Sequence, residues 1–201
     1  MLGRDFFGRA TVTVARELVG CRLIVDRGTD AEVVAALVEV EAYLGLEDPA
    51  SHAYRGPTPR AAIMFGPPGR LYIYFSYGMH HCANLVTEPD GSAGAVLLRA
   101  AAVESGEETV RHRRAAAPRR SSSPPRRIPA TRLLSGPGNL CLGLALSLAD
   151  NGADVCARHS RIAVLPAEHA PPVEAVARVG ISRAAAWPLR FAWSGHPAVS
   201  V

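Results

Sequence analysis

The stretch that decides the fold is Glu32–Tyr43, which reads EVVAALVEVEAY. Its second half alternates small apolar residues with glutamate and tyrosine. Because successive side chains on a β-strand point to opposite faces of the sheet, Glu39, Glu41 and Tyr43 should share one face. The valines and the alanine between them should face the core. The sequence therefore predicts a long strand that presents two carboxylates and a phenol on the side away from the core.

Short apolar or aromatic runs outside this stretch predict further strands, and a few capped runs predict helices. Strands and helices do not alternate in a βαβ rhythm, so we expect a single α+β domain over residues 1–201. Its mainly antiparallel, curved β-sheet should be surrounded by helices. The predicted strands are Arg22–Asp26, Leu71–Phe75, His81–Val86, Ala95–Arg99, Arg161–Leu165, Val173–Val179 and Leu189–Trp193. The predicted helices are Val14–Val19, capped by Thr13, then Thr58–Phe65 and Asn139–Leu148.

The charge of the chain is concentrated in one segment. The 201 residues include 22 basic residues, all arginine, and 18 acidic residues. The window Arg111–Arg132 contains eight arginines and no acidic residue, so it carries the positive charge of the whole chain. Such a segment suits a phosphate backbone, although a solvated loop would have the same composition. We predict a flexible basic insertion over residues 105–130.

Several classes of protein are disfavoured by composition. No run of 18 apolar residues predicts a membrane helix, and the N-terminus lacks the apolar region of a secretion signal. The four cysteines form no C-x-x-C pair, so we expect neither a metal site nor a cofactor, in a protein that is cytoplasmic and not secreted. The chain has no lysine, which excludes a lysine Schiff base.

Other candidate residues lie on the predicted aromatic strand and in the loops. Tyr72 and Tyr74 should share a strand face, and Tyr77 is next to a glycine at a predicted turn. Such rings either stack on nucleic-acid bases or fill the core. His52 lies in a loop bounded by glycine and proline, where a lone histidine is more often structural than a metal ligand. The polar strand face of Glu32–Tyr43 equally fits an ordinary amphipathic strand with hydrated glutamates.

In their order along the chain, the motifs resemble those of the alkyladenine (3-methyladenine, methylpurine) DNA glycosylases. The individual strings are short, but together they cover nearly the whole chain. They are Val38–Gly45, His52, Thr58–Arg60, Met64–Phe65, Gly69–Met79, Asn84, Leu97–Ala100, Ser135–Pro137 and Arg178–Gly180. Differences from the family pattern occur at His80, His81 and Asn139.

The resemblance implies an enzyme that flips alkylated or deaminated purines out of duplex DNA and hydrolyses the N-glycosidic bond during base excision repair. Glu41 matches the general base for the attacking water, Arg99 matches the arginine that helps to hold this water, and the backbone at Val179 should supply a further acceptor. The Glu41 side chain should then face an open pocket rather than the interior. Without lysine, the enzyme should not cleave the abasic strand as a lyase.

The same resemblance implies a base-binding pocket. Tyr43 should cover one face of the flipped purine, with His52 and Tyr74 on the other. Asn84 should disfavour guanine by a clash with its exocyclic amine. Tyr77 matches the ring that inserts into the gap left in the DNA. The expected partner is double-stranded DNA containing damaged purines, with no membrane, and the expected state is a monomer.

Two rival hypotheses share the fold but not the activity. The tyrosines and arginines would also suit a noncatalytic nucleic-acid-binding module. A similar architecture occurs in an RNA-binding domain appended to formyltransferases. Release of a damaged base by this protein would separate the enzyme from both.

Overall fold

The long strand β2 (Val33–Tyr43) lies inside an eight-stranded sheet in which every pairing is antiparallel. The structure is a computed structural model that describes residues 1–76, 78–116 and 127–200. The main path of the sheet runs β3-β4-β5-β2-β1-β6, and β8 pairs with both β2 and β7. The other strands are β1 (Arg22–Val25), β3 (Leu71–Ser76), β4 (His80–Val86), β5 (Ala95–Ser105), β6 (Ile162–Leu165), β7 (Val173–Val176) and β8 (Arg190–Trp193).

Strand β2 changes partners along its length. It pairs with β5 throughout, with β1 over its first residues and with β8 around Glu39–Glu41. Irregularities in its register with β5 flank Glu39, and such bulges bend a strand and strengthen its twist. The result is a curled sheet whose central strand brings both glutamates beside β5 and β8.

Helices cover the sheet and close the core. Helix α2 packs on β2, and α4 packs on β4 and β5. The main core lies between them and includes Leu18, Leu37, Leu98 and Leu140, all completely buried. The helices are α1 (Arg4–Phe7), α2 (Thr11–Leu18), α3 (Glu107–Ala115) and α4 (Pro137–Gly143), with 3-10 turns at Gly45–Glu47, Ala62–Phe65, Ala130–Arg132 and Leu148–Asp150.

The predicted α+β class and every predicted strand are confirmed, and only two strand ends differ from the prediction by more than one residue. Strand β5 continues to Ser105, because the same β2 partner extends beyond the predicted end at Arg99. Strand β7 ends at Val176 instead of Val179. The chain leaves the sheet there, and the backbone of Val179 bonds to a side chain of β2.

The helix predictions were less accurate. Helix α2 begins at Thr11 rather than after Thr13, because Glu88 from a distant loop accepts the Thr11 backbone N–H at 2.6 Å. Thr58 does accept the N–H of Ala61, as an N-cap would, but only a 3-10 turn follows. Helix α4 starts earlier than predicted, with Pro137 in its first turn, and ends before Ala145, whose φ is 51°.

Part of the predicted flexible basic insertion over residues 105–130 is helical, and its flexibility stays a prediction. Residues Glu107–Ala115 form α3, which contacts α4 and β2. Acidic residues in its first turn and basic residues in its last turn favour this helix, since they oppose its macrodipole. Residues 117–126 of the predicted insertion lie outside the described residues.

Candidate active site

The polar face of β2 is buried, which excludes the interpretation as a hydrated amphipathic strand. Glu39 and Glu41 are both completely buried. Tyr43 is partly buried, and its hydroxyl donates to Glu41 Oε2 at 2.9 Å. The alternation seen in the sequence therefore does place two carboxylates and a phenol together, but inside the protein.

Arg99 on β5 joins the two glutamates. Its Nη1 lies 3.2 Å from Glu41 Oε1, and its Nε donates to Glu39 Oε1 at 2.8 Å. Burial by itself would lower the pKa of Arg99, but the charges of Glu41 and Glu39 outweigh burial and raise this pKa above its ordinary value. Arg99 is therefore a permanent cation between two buried acids.

Glu41 accepts a second hydrogen bond from the segment after β7. The backbone N–H of Val179 donates to Glu41 Oε1 at 2.8 Å. The family resemblance led us to expect a further acceptor from the Val179 backbone, which stays a prediction, since the bond to Glu41 uses the Val179 N–H. A carboxylate has about four lone-pair sites, so these two hydrogen bonds and the ion pair with Arg99 leave about one for a further hydrogen bond.

A cavity of about 630 Å³ lies immediately beside this cluster. Tyr43, Arg99 and Val179 form part of its wall, while the Glu41 side chain is not exposed in it. The expectation that Glu41 faces an open pocket is therefore wrong. The Glu41 carboxylate is separated from the cavity by Tyr43 and Val179, which donate hydrogen bonds to it and belong to the cavity wall. The wall also contains His52, Arg60, Met64, Tyr72, Tyr74, Cys82, Asn84, Leu97, Pro137 and Gly180.

Aromatic side chains form one side of the cavity. His52 Nδ1 lies 2.8 Å from the Tyr72 hydroxyl oxygen, and its ring meets that of Tyr74 edge to face with 4.7 Å between centroids. The enclosing protein and then the charge of Arg60 lower the pKa of His52 to about 4. His52 is exposed to solvent, and its ordinary pKa of 6.5 already lies below 7, so its ring is mainly neutral at pH 7.

Asn84 lies in the cavity wall between the aromatic side and the core. It is buried on β4, and its Nδ2 donates to the backbone carbonyl of Tyr72 at 3.0 Å. This bond across the β3–β4 pair fixes the side-chain amide. The structure therefore brings six of the predicted residues to one cavity: Tyr43, His52, Tyr74, Asn84, Arg99 and Val179. Tyr77 lies outside the described residues.

A buried ion pair that the sequence analysis missed supports Tyr43. Arg178 and Asp48 are both completely buried as side chains, and Arg178 Nη2 donates to Asp48 Oδ1 at 2.8 Å. The guanidinium carbon of Arg178 lies 4.6 Å from the centroid of the Tyr43 ring. The pair thus holds both Tyr43 and the segment that carries Val179. Arg178 belongs to the motif Arg178–Gly180, but nothing in the sequence pairs it with Asp48.

Membrane-spanning and metal-binding features are both missing from the described ranges. Neither the helices before residue 117 nor those after residue 126 include one long and apolar enough to cross a membrane. Among residues 1–76, 78–116 and 127–200, no cluster of three or more histidine, cysteine or acidic side chains could hold a metal ion.

Comparison with known proteins gives a consistent result. The model of the methylpurine-DNA glycosylase family matches residues 5–197. A protein of Mycobacterium sp. (strain KMS) is 46% identical over 197 residues, covering 94% of this chain and 87% of its own length. Relatives in Anaeromyxobacter dehalogenans and Rhodopseudomonas palustris are 44% and 43% identical, covering 99% and 100% of this chain and 85% and 90% of their own lengths. All three bear the provisional name 3-methyladenine DNA glycosylase.

Proposed function

The chain belongs to the methylpurine-DNA glycosylase family, and from that premise we propose that it removes damaged purines from duplex DNA by hydrolysing the N-glycosidic bond. The substrates are alkylated or deaminated purines of the 3-methyladenine, 7-methylguanine, hypoxanthine and ethenoadenine class. The observation that carries the proposal is the Glu41–Arg99 pair directly behind a cavity lined by aromatic rings. The damaged nucleotide leaves the helix and its base enters this cavity.

Glu41 is the general base in this proposal. It accepts a proton from a water molecule whose oxygen attacks the anomeric carbon of the sugar, while the electron pair of the broken bond leaves with the purine. Arg99 pairs with Glu41, and the Val179 N–H and the Tyr43 hydroxyl donate to it, so the carboxylate is held in a fixed position. The buried negative charge also stabilises the oxocarbenium character that develops on the sugar.

The complete burial of Glu41 adds a requirement to this mechanism. Tyr43 and Val179 cover the carboxylate, and both also form the cavity wall. Entry of the purine therefore has to displace at least one of them, so that water reaches the remaining lone-pair site of Glu41. Glu41 therefore stays inaccessible to water until a nucleotide occupies the cavity.

The aromatic side of the cavity suits a flat and often cationic purine. Tyr43, Tyr74 and His52 offer ring surfaces for stacking, worth about 1–3 kcal/mol per ring in nucleic-acid complexes. A neutral His52 does not repel the positive charge of a 3-methylated base, as a protonated ring would. Asn84, whose amide donates to the Tyr72 carbonyl, disfavours the exocyclic amine of guanine in this proposal.

The remaining parts of the proposal concern DNA and the product. Tyr77 inserts into the gap left by the flipped nucleotide, and Tyr77→Ser should weaken binding to a lesion-containing duplex. Because the chain has no lysine, the enzyme leaves the abasic strand uncut, the N-terminal amine being the alternative nucleophile. We place the enzyme in the cytoplasm as a monomer, acting on chromosomal DNA.

Single-turnover release of hypoxanthine and 3-methyladenine from duplex DNA tests the proposal. Glu41→Gln should abolish release while binding of the lesion duplex survives. Glu168→Gln is the matched control, because Glu168 is an exposed acid paired with Arg22, and it should release base like the parent. Retained turnover by Glu41→Gln would remove Glu41 from its role.

The burial of Glu41 also favours a second candidate, a noncatalytic nucleic-acid-binding module. A carboxylate that never contacts water would hold the fold together and take part in no reaction. That protein would bind duplex DNA without releasing any base, even with enzyme in large excess over substrate. Release by the parent protein excludes it.

A further inference from the structure

Glu39, the second buried glutamate of β2, has a set of contacts that no step above uses. Its Oε1 accepts from Arg99 Nε at 2.8 Å and from Arg190 Nη1 at 3.0 Å. Its Oε2 accepts from the backbone N–H of Ser200 at 2.6 Å. Glu39 is completely buried and is absent from the cavity wall, so it does not contact a base bound there.

The contacts of Arg99 are divided between three partners. Nε donates to Glu39, Nη2 donates to the Ser200 hydroxyl at 3.1 Å, and only Nη1 reaches Glu41, at 3.2 Å. An unrestrained arginine prefers to bind a carboxylate with two nitrogens in parallel. Glu39 and Ser200 hold the guanidinium in an orientation that gives Glu41 a single nitrogen.

The charges of this cluster are balanced. Glu39 and Glu41 face Arg99 and Arg190, which gives two acids and two bases. Burial by itself would raise the pKa of Glu39, but the Ser200 hydrogen bond and the charge of Arg99 outweigh burial and lower it. Glu39 therefore stays ionised and competes with Glu41 for Arg99.

We propose that Glu39, with Ser200, is a positioning residue that prevents Arg99 from closing on Glu41 with two nitrogens. This keeps one carboxylate site of Glu41 free for the attacking water. The inference rests on the proposed function, because it assigns Glu39 a role in the same reaction. It also gives the segment that follows β8 a place in the site, since Ser200 supplies two of the contacts.

The proposal predicts a loss of rate without a loss of binding. In Glu39→Gln the competing charge is gone, Arg99 turns towards Glu41, and the single-turnover rate should fall by about 100-fold, as misplacement of a catalytic group by about 1 Å does. The affinity for a lesion duplex should stay within about twofold, because Glu39 does not contact the cavity. Glu39→Asp keeps the charge and should recover most of the rate.

A double-mutant cycle with Arg99→Met separates positioning from a merely structural role. If Glu39 acts through Arg99, Glu39→Gln should cause no further loss of rate in the Arg99→Met background. Equal losses in both backgrounds, or a parental rate for Glu39→Gln, would overturn the proposal. Circular dichroism and urea unfolding of each variant establish that the rates belong to folded protein.

Ser200→Ala decides the question if Glu39→Gln does not fold. This variant keeps the backbone N–H that Glu39 accepts and removes only the acceptor of Arg99 Nη2. We expect a three- to tenfold lower rate, on the order of one hydrogen bond, and an unchanged rate would overturn the proposal. The parent and Glu41→Gln are measured alongside: absence of release by the parent contradicts the proposed function, whereas a wrong role for Glu39 leaves parental release intact.

Discussion

The two buried arginines next to the cavity, Arg99 and Arg178, and the arginines of helix α3 have different partners. Arg99 and Arg178 are buried against carboxylates beside the cavity. In α3, Arg111 binds Glu107 and the Ile128 carbonyl, and Arg113 binds Asp26. These two α3 arginines are partly exposed, but their hydrogen bonds hold the helix to the rest of the protein. A count of basic residues therefore overstates the charge that this segment offers to a phosphate backbone.

Buried and exposed charge pairs also differ in how much stability is lost when one partner is removed. A buried pair broken on one side leaves an uncompensated charge in a medium of low polarity, which costs about 3–5 kcal/mol. An exposed pair is hydrated when broken and typically contributes about 0–1 kcal/mol. The predictions below use this difference, in order of decreasing effect.

The largest effect is expected for Asp48→Asn. This change removes the charge opposite Arg178, whose side chain is completely buried, and should lower the free energy of unfolding by about 3–5 kcal/mol in urea titrations. Glu17→Gln is the matched control, because Glu17 and Arg9 form an exposed pair at 2.8 Å. Its effect should be below about 1 kcal/mol. Similar effects of the two variants would contradict the distinction between buried and exposed pairs.

Lowering the pH should have an intermediate effect on the free energy of unfolding. Burial alone would raise the pKa values of Glu39 and Asp48. For Glu39, the Ser200 hydrogen bond and the charge of Arg99 outweigh burial and lower its pKa from the ordinary value of 4.5. For Asp48, the hydrogen bonds and charge of Arg178 outweigh burial and lower its pKa from the ordinary value of 3.8. A carboxyl with a lower pKa in the folded state stabilises the protein above its unfolded pKa, and this stability is lost as the pH falls through the folded value.

Urea titrations between about pH 7 and about pH 3 measure this dependence. The contribution of these two carboxyls to the free energy of unfolding should be constant near neutrality. It should decline once the pH falls below their ordinary pKa values. The decline should be shallower in Asp48→Asn, which has lost one of the two groups. An equally steep decline in that variant would show that Asp48 is not responsible.

The smallest effect concerns DNA binding by the basic segment. Arg113→Gln should lower stability by about 1–2 kcal/mol through the removal of its bond to Asp26, with no change in the salt dependence of DNA binding.

Replacing Arg119, Arg120 and Arg126 with glutamine should flatten the salt dependence of DNA binding by about 0.9 in logarithmic slope for each phosphate that is no longer neutralised. An unchanged slope in the triple variant would make the segment irrelevant to binding, and the single-turnover rate should be close to parental in both.

The sequence predicted the strands well because alternation is a local property. The pattern of β2 alone was enough to place Glu39, Glu41 and Tyr43 on one face. It could not tell whether that face was hydrated or buried, since both cases have the same alternation. The segment containing Val179 and the one containing Ser200 contact the two glutamates from more than 130 residues away in sequence.

Tertiary contacts between distant residues account for most of what the sequence missed. Asp48 and Arg178 are 130 positions apart and have no local signal that pairs them. The start of α2 is set by Glu88, not by a neighbouring threonine. The family resemblance identified the residues of the cavity, but the covered state of Glu41 and the contacts of Glu39 with Ser200 required the structure.

A crystal structure of the Glu41→Gln variant with a lesion-containing duplex tests the central claim most directly. We expect the damaged purine in the cavity beside Tyr43 and His52, with Tyr43 or Val179 displaced and a water molecule between residue 41 and the sugar. A duplex bound with its lesion still stacked in the helix, and residue 41 still covered by both neighbours, would contradict a catalytic role for Glu41.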